Sequence, residues 1–236
     1  FYKNLHPGSE VDAIVKIIPD QVEIKLSRGR VGQLQLNHGK LLFAPLRTGS
    51  PLASIYLKSS GPLAEALDLL EHPDLAILKQ EMLPFTESSG DVVLDLWMEF
   101  PLGNKIDEGF RFTAKANVKE VRLSGMPLDL EMRNGTVEVD ADSENVRVYG
   151  TGKLSGADVD FDFRKKGNNP SRTKVIAPLS EEMADLLGHL SNLDVRGQAS
   201  ADLLIAESAD SQNRIALQLG LDQADISIPW IALKKP

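Results

Sequence analysis

The chain of 236 residues has no cysteine, few aromatic residues and a shortage of positive charge. Without cysteine there is no disulfide framework, thiol nucleophile or thiolate metal site. Aromatic residues make up 6% of the chain and the formal net charge is −8. Both values disfavour nucleic acid as a partner, because binding it needs a basic face and stacking platforms. No apolar run reaches the roughly 18 residues that a membrane-spanning helix needs.

Catalytic and metal-binding patterns are also missing, so the sequence predicts no enzyme, metal or cofactor. No Gly-x-Ser-x-Gly elbow occurs, and the histidines are scattered without partners at metal spacing, at His6, His38, His72 and His189. Asp140–Glu144 resembles the start of a calcium loop, but Asn145 stands where that loop needs glycine. A solvated turn is the favoured interpretation, and a hydrolase with an unrecognised site stays as a minor alternative.

Apolar and polar residues alternate along most of the chain, which is the pattern of strands with one apolar and one polar face. Val92, Leu94, Leu96, Met98 and Phe100 alternate with Val93, Asp95, Trp97 and Glu99. Antiparallel sheets that are wetted on one side have this pattern, whereas buried parallel strands do not. We expect about fifteen strands in meander order.

Turn and helix signals divide these strands. Asn134-Gly135 predicts a two-residue hairpin turn, and Arg28-Gly29-Arg30, Asn37-His38-Gly39 and Leu154-Ser155-Gly156 are weaker turn signals. One helix is predicted from about Pro62 to Leu83, with Leu63, Leu67 and Leu70 as its apolar stripe. A second helix is predicted from about Ser180 to Leu190.

Segments of the chain recur. Pro62–Leu70 is echoed by Pro178–Leu187, and Arg111–Val118 is echoed by Arg214–Leu221. We therefore predict one segment with two approximate repeats, about 11–119 and about 120–236, of the kind that extends by stacking. Because the first residue is Phe1 and the second repeat stops part-way, we expect a piece of a longer chain.

Three stretches carry a family resemblance: Gly61-Pro62-Leu63 opening a helix, the meander from Asn134-Gly135-Thr136-Val137 through Tyr149–Gly156, and Leu221–Pro229 followed by Trp230 and Lys234. In this order they resemble the AsmA-like superfamily, specifically its YhdP/TamB branch of large Gram-negative envelope proteins. The resemblance runs from about Gln21 to the end of the chain.

The resemblance implies a repeating β-groove that carries phospholipid between the inner and outer membranes. It further implies a periplasmic location, adjoining groove segments of the same polypeptide as partners, and an inner-membrane anchor in a region absent here. The expected fold class is mainly β with two short helices, a long curved antiparallel sheet forming an open apolar groove.

Alternation selects the residues expected to line that groove: Val92, Leu94, Leu96, Met98, Phe112, Ala114, Ala116, Val118, Val159, Phe161, Leu203, Ile205, Leu217 and Leu219. The alternative is a closed β-sandwich that holds envelope assembly partners and binds no lipid, in which a second sheet covers the apolar face.

Overall fold

The computed structural model describes residues 8–47, 49–71, 85–102, 109–126, 131–154, 156–167, 169–178, 194–206, 214–228 and 233–234. Burial is described for these residues as far as residue 177, and beyond it for Gly220. In chain order the elements are β1 (Gly8–Ile18), β2 (Gln21–Val31), β3 (Leu34–Ala44), β4 (Leu52–Pro62), α1 (Leu63–Glu71), β5 (Glu87–Pro101), β6 (Arg111–Ser124), β7 (Met132–Asp142), β8 (Asn145–Leu154), β9 (Ala157–Lys166), β10 (Ser171–Pro178), β11 (Asp194–Ala206), β12 (Arg214–Ile228) and β13 (Leu233–Lys234).

All thirteen strands belong to one antiparallel sheet in which each strand pairs with its neighbours in sequence. β1 forms one margin and β13 the other, and the two do not pair within the described part of the chain, so the sheet is open. The fold is therefore mainly β, as the alternation predicted. At about 4.8 Å per strand spacing, twelve spacings give a sheet about 58 Å across.

Cross-strand register gives the sheet an apolar face, which carries Leu94, and a polar face, which carries Val93. Partners in a ladder lie on the same face, so the apolar face can be followed from strand to strand. One row on this face runs through Val15, Ile24, Leu41, Ile55, Met98 and Phe112. Another runs through Val92, Val118, Val137, Gly150, Phe161, Val175, Ala201 and Leu219.

Three of the predicted turns are wrong. Asn134-Gly135 lies inside β7, and the two signals at Arg28–Arg30 and Asn37–Gly39 lie inside β2 and β3. Asn134 has a positive φ of 52°, a conformation that asparagine adopts more readily than most residues. It occupies a β-bulge, in which β7 has one residue more than β8. The chain instead turns after Asp142, between β7 and β8.

The register irregularities lie towards the first residues of odd-numbered strands, at Ser9–Ala13, Leu36–His38, Ser89–Asp91 and Arg133–Thr136, except that Gln198–Ser200 lies near the middle of β11. Because neighbouring strands run in opposite directions, the first four positions follow a single edge of the sheet, which we call the bulged edge. Bulges bend strands and increase their twist. We therefore expect the strands to bend locally along this edge.

Helix α1 connects β4 to β5 at the bulged edge. Its buried side chain is Ala66, and Leu63 and Leu69 pack against the core. Of the predicted stripe, Leu63 thus packs against the core, whereas Leu67 and Leu70 are half-buried but are not among the residues packed against it, and Leu69 takes their place. The small Ala66 side chain allows the helix to approach the sheet closely. The rest of this predicted helix and the second predicted helix lie outside the described residues.

Candidate functional site

The centre of the apolar face, on β5–β7, is a packed core. Val92, Leu94, Leu96 and Met98 of β5 are 3–6% exposed. They pair with the four predicted groove residues of β6, namely Val118, Ala116, Ala114 and Phe112. Ala114 and Val118 are also buried, whereas Ala116 and Phe112 are half-buried and pack against the same cluster. These eight residues share a face, and most of their surface is already in contact with protein.

Helix α1 lies against the β5 side of this core. The helix contacts β5 and, less extensively, β4, and its Ala66 belongs to the same core cluster as Leu94. Glu65 of α1 accepts a hydrogen bond at 3.4 Å from the backbone N–H of Gln33, in the turn between β2 and β3. The helix is therefore held both by apolar packing and by a long polar contact at the bulged edge.

The flanks of the apolar face mix buried residues, such as Ala53 and Val159, with half-buried ones, some of which pack against the core cluster, namely Ile55, Val148 and Phe161. The half-buried residues are Ile24, Leu41 and Ile55 on one side and Val148, Phe161, Phe163 and Val175 on the other. Of these, only Phe161 was among the predicted groove residues. The others follow the same alternation, which would have found them if it had been traced through all of β2–β4 and β8–β10.

The remaining predicted groove residues also occupy positions of the apolar face. Val159 is buried on β9 and lies opposite Gly152. Register places Leu203 opposite Leu217, Ala201 opposite Leu219, and Ile205 two positions from Leu203 on the same face. All fourteen predicted positions thus fall on one face, and lipid contact at them stays a prediction.

The polar face carries cross-strand ion pairs and hydrogen bonds. Asp162 of β9 accepts bonds from Arg164 at 2.6 Å and from Arg147 of β8 at 2.9 Å. These guanidiniums hold the pKa of the Asp162 carboxyl well below its usual range. On β2 and β3, the Lys40 ammonium lies 3.0 Å from Glu23 and lowers the pKa of that carboxyl. The opposite face of the sheet is therefore charged and ordered by side-chain contacts.

The acidic stretch at Asp140–Glu144 closes the β7–β8 turn. Asp142 Oδ1 accepts bonds from the backbone N–H groups of Glu144 and Asn145, at 2.7 and 2.8 Å. These bonds and the Asn145 side chain lower the pKa of the Asp142 carboxyl. In the described residues no group of three or more potential ligands gathers to hold a metal ion.

Trp97 lies on the polar face, where its Nε1–H donates to Ser54 Oγ at 3.2 Å. The neighbouring Tyr56 hydroxyl donates to Asp95 at 3.1 Å. Trp97 thus has a packing and hydrogen-bonding role within the β4–β5 ladder. The second tryptophan, Trp230, lies outside the described residues.

Two shallow concavities open on the polar side of the sheet. One, of about 530 Å³, is lined chiefly by β8–β10 residues such as Lys153, Asp158 and Asp160. The other, of about 360 Å³, lies around Val93 and Tyr149. Both mix acids, bases and apolar groups without a convergent set of catalytic side chains.

Comparison of the chain with protein-family models, with curated proteins and with solved structures found no match in any of the three. Among the described residues, no helix has the length and apolar character needed to cross a membrane.

Proposed function

We propose that this chain is a segment of an envelope bridge that binds phospholipid acyl chains along its apolar face and conducts them between the inner and outer membranes. The observation that carries the proposal is the continuity of that face: apolar rows pass through successive strands of one open sheet. A pocket for one small ligand needs no such extended surface, whereas a path for a lipid does.

The energetics of acyl-chain burial fit such a surface. Each methylene removed from water contributes about 0.8 kcal/mol, so an acyl chain of about sixteen carbons gains on the order of 10 kcal/mol before losses. This gain is not directional. A chain can therefore move from one apolar row to the next without breaking specific polar contacts.

The uneven burial of the apolar face divides the proposed path into zones. Acyl chains would first contact the half-buried flanks, at residues such as Ile24 and Leu41 on one side and Phe163 and Val175 on the other. The centre over β5–β7 is packed. Passage across it therefore requires α1, which lies against β5, to move aside.

The proposed repeat is supported by the positions of the echoed segments. Arg111–Val118 lies in β6 and Arg214–Leu221 lies in β12, six strands further along the sheet. In both places the strand with the echoed segment has one residue more than the strand before it. Lys119–Arg122 of β6 lies opposite Ser89–Asp91 of β5, and Gly220–Gln223 of β12 lies opposite Gln198–Ser200 of β11. The periplasmic location, the membrane anchor and the adjoining groove segments are proposed from the family resemblance.

A scaffold without lipid is the second candidate, and the tight packing of Leu94 and its neighbours favours it. In this alternative the apolar face serves only as a core and the polar face binds assembly partners. The two functions differ in one property, which is whether the half-buried flanks hold lipid.

Neighbouring residues on β10 provide the test. Val175 lies on the apolar face and Ile176 on the polar face, and both are half-buried. We expect Val175→Glu to lower several-fold the phospholipid that copurifies with the chain, because a carboxylate that loses its water to an acyl chain costs several kcal/mol. Ile176→Glu should leave the bound lipid unchanged.

The measurement is quantitative mass spectrometry of lipid extracted from the purified, folded variants. Equal lipid in Val175→Glu and Ile176→Glu, or none in the unmodified chain, would favour the scaffold.

A further inference from the structure

The outer margin of the sheet at β1 exposes apolar side chains on both of its faces. Five of the eight exposed large apolar residues in the described part of the chain lie on this strand: Val11, Ile14, Val15, Ile17 and Ile18. Ile14 is 73% and Ile17 is 74% exposed. Edge strands normally avoid such a surface, because unpaired backbone groups beside apolar side chains invite another strand.

Within the described residues, the backbone of β1 is paired on one side only. Its described partner is β2, in regular register from Ala13↔Leu26 to Ile18↔Gln21. All residues of β1 are exposed, so the described part of the chain does not cover the strand from above, below or outside. It can accept a further antiparallel strand by main-chain hydrogen bonding, as in β-strand addition.

The charges on β1 are arranged so that the strand complements itself. Asp12 and Lys16 lie two positions on either side of Ile14. In an antiparallel pair of two β1 strands centred on Ile14, each Asp12 lies opposite the Lys16 of the other copy. Ala13 then faces Val15 on the apolar face, and Ile14 faces Ile14 on the polar face.

We propose that β1 is a homodimerisation strand, which pairs with β1 of a second copy about a two-fold axis at Ile14. The axis is perpendicular to the sheet, so the apolar faces of both copies lie on the same side and become continuous. The inference rests on exposure, pairing and charge at β1 and is independent of lipid binding.

Charge exchange on the full chain tests the proposed register. In Asp12→Lys the introduced lysine lies opposite Lys16 of the other copy, and in Lys16→Asp the introduced aspartate lies opposite Asp12. Each variant alone therefore loses two attractive pairs and gains two repulsive ones. We expect each to weaken dimerisation by about tenfold or more. An equimolar mixture restores both attractive pairs, so it should form the heterodimer with an affinity near that of the unmodified chain.

This design separates pairing from folding. Asp12 also forms an ion pair with Arg28, and Lys16 lies opposite Glu23 within its own sheet. Those losses are present in the mixture as well, so recovery on mixing must come from contacts between copies. Val93→Lys, on an exposed apolar residue of β5, is the control and should not change dimerisation.

Analytical ultracentrifugation gives the stoichiometry and affinity. Because the chain has no cysteine, oxidation of Ile14→Cys should also yield a single disulfide-linked dimer, whereas Val93→Cys should remain monomeric under the same conditions. The Cα separation across an antiparallel pair is within the range that a disulfide spans. A monomeric unmodified chain would overturn the proposal, and so would a dimer that both charge variants leave intact.

Discussion

Leu94→Glu is expected to unfold the protein under conditions in which Val93→Glu stays folded. The two residues are adjacent on β5 and differ in the face they occupy: Leu94 is 6% exposed on the apolar face and Val93 is 61% exposed on the polar face. Leu94 lies between Ser59 of β4 and Ala116 of β6 and belongs to the core cluster. A glutamate there would place a charge in the centre of that cluster.

The expected loss for Leu94→Glu is on the order of 4 kcal/mol, since both apolar packing and the hydration of a carboxylate are lost. This is a large share of the roughly 5–15 kcal/mol by which domains are stable. Val93→Glu should change stability by less than about 0.5 kcal/mol. Urea unfolding followed by circular dichroism gives both values, and similar midpoints for the two variants would contradict the assignment of faces.

Gly150→Ala is expected to produce the second large effect. Gly150 of β8 pairs with Val137 of β7, next to the bulge at Asn134. A Cβ at this position would lie 2.0 Å from the carbonyl oxygen of Thr136 and 3.0 Å from the Cα of Val137. Because both obstacles are backbone atoms, the two strands must move apart to admit a methyl group.

We expect Gly150→Ala to destabilise the fold by at least the roughly 1–3 kcal/mol that overpacking costs. At about 2–4 °C per kcal/mol for a chain of this size, the melting temperature should fall measurably. Gly8→Ala is the matched control, because the nearest atoms to its new Cβ are 3.5 and 3.8 Å away. Equal melting temperatures for the two variants would mean that β7 and β8 are not so closely apposed.

The faces of the sheet could be predicted from the sequence because side chains on a strand alternate with a fixed period of two. Once one face of β5 is apolar, the order Val92, Leu94, Leu96, Met98 determines which residues point together. The neighbours on β6 then follow from the meander order. This is why the predicted groove positions all fall on a single face.

The turns could not be predicted as well, because a glycine signal has more than one structural use. Gly39 lies within β3, where an added Cβ would approach Leu57 to 2.8 Å, so its small size serves packing rather than reversal of the chain. Asn134 uses its positive φ in a bulge. Whether such a residue turns the chain or bends a strand depends on the partner strand, and local sequence does not contain that partner.

The degree of burial also could not be predicted from the alternation of apolar and polar residues. The period identifies the apolar face but not what lies over it, so the buried Leu94 and the half-buried Phe161 were equivalent candidates for a groove. Contacts such as those of α1 with β5 depend on long-range packing, and local alternation does not record them.

The central claim, that acyl chains lie on the apolar face, is tested most directly by photo-crosslinking at two partly exposed aromatic positions. Phe163 of β9 is on the apolar face, and Tyr149 of β8 is on the polar face, one strand away. A benzoylphenylalanine residue replaces each in turn, and the chain is irradiated in intact cells. We predict phospholipid adducts at position 163 and none at position 149. Adducts at both positions in equal yield, or protein adducts alone at position 163, would contradict the lipid-conducting function.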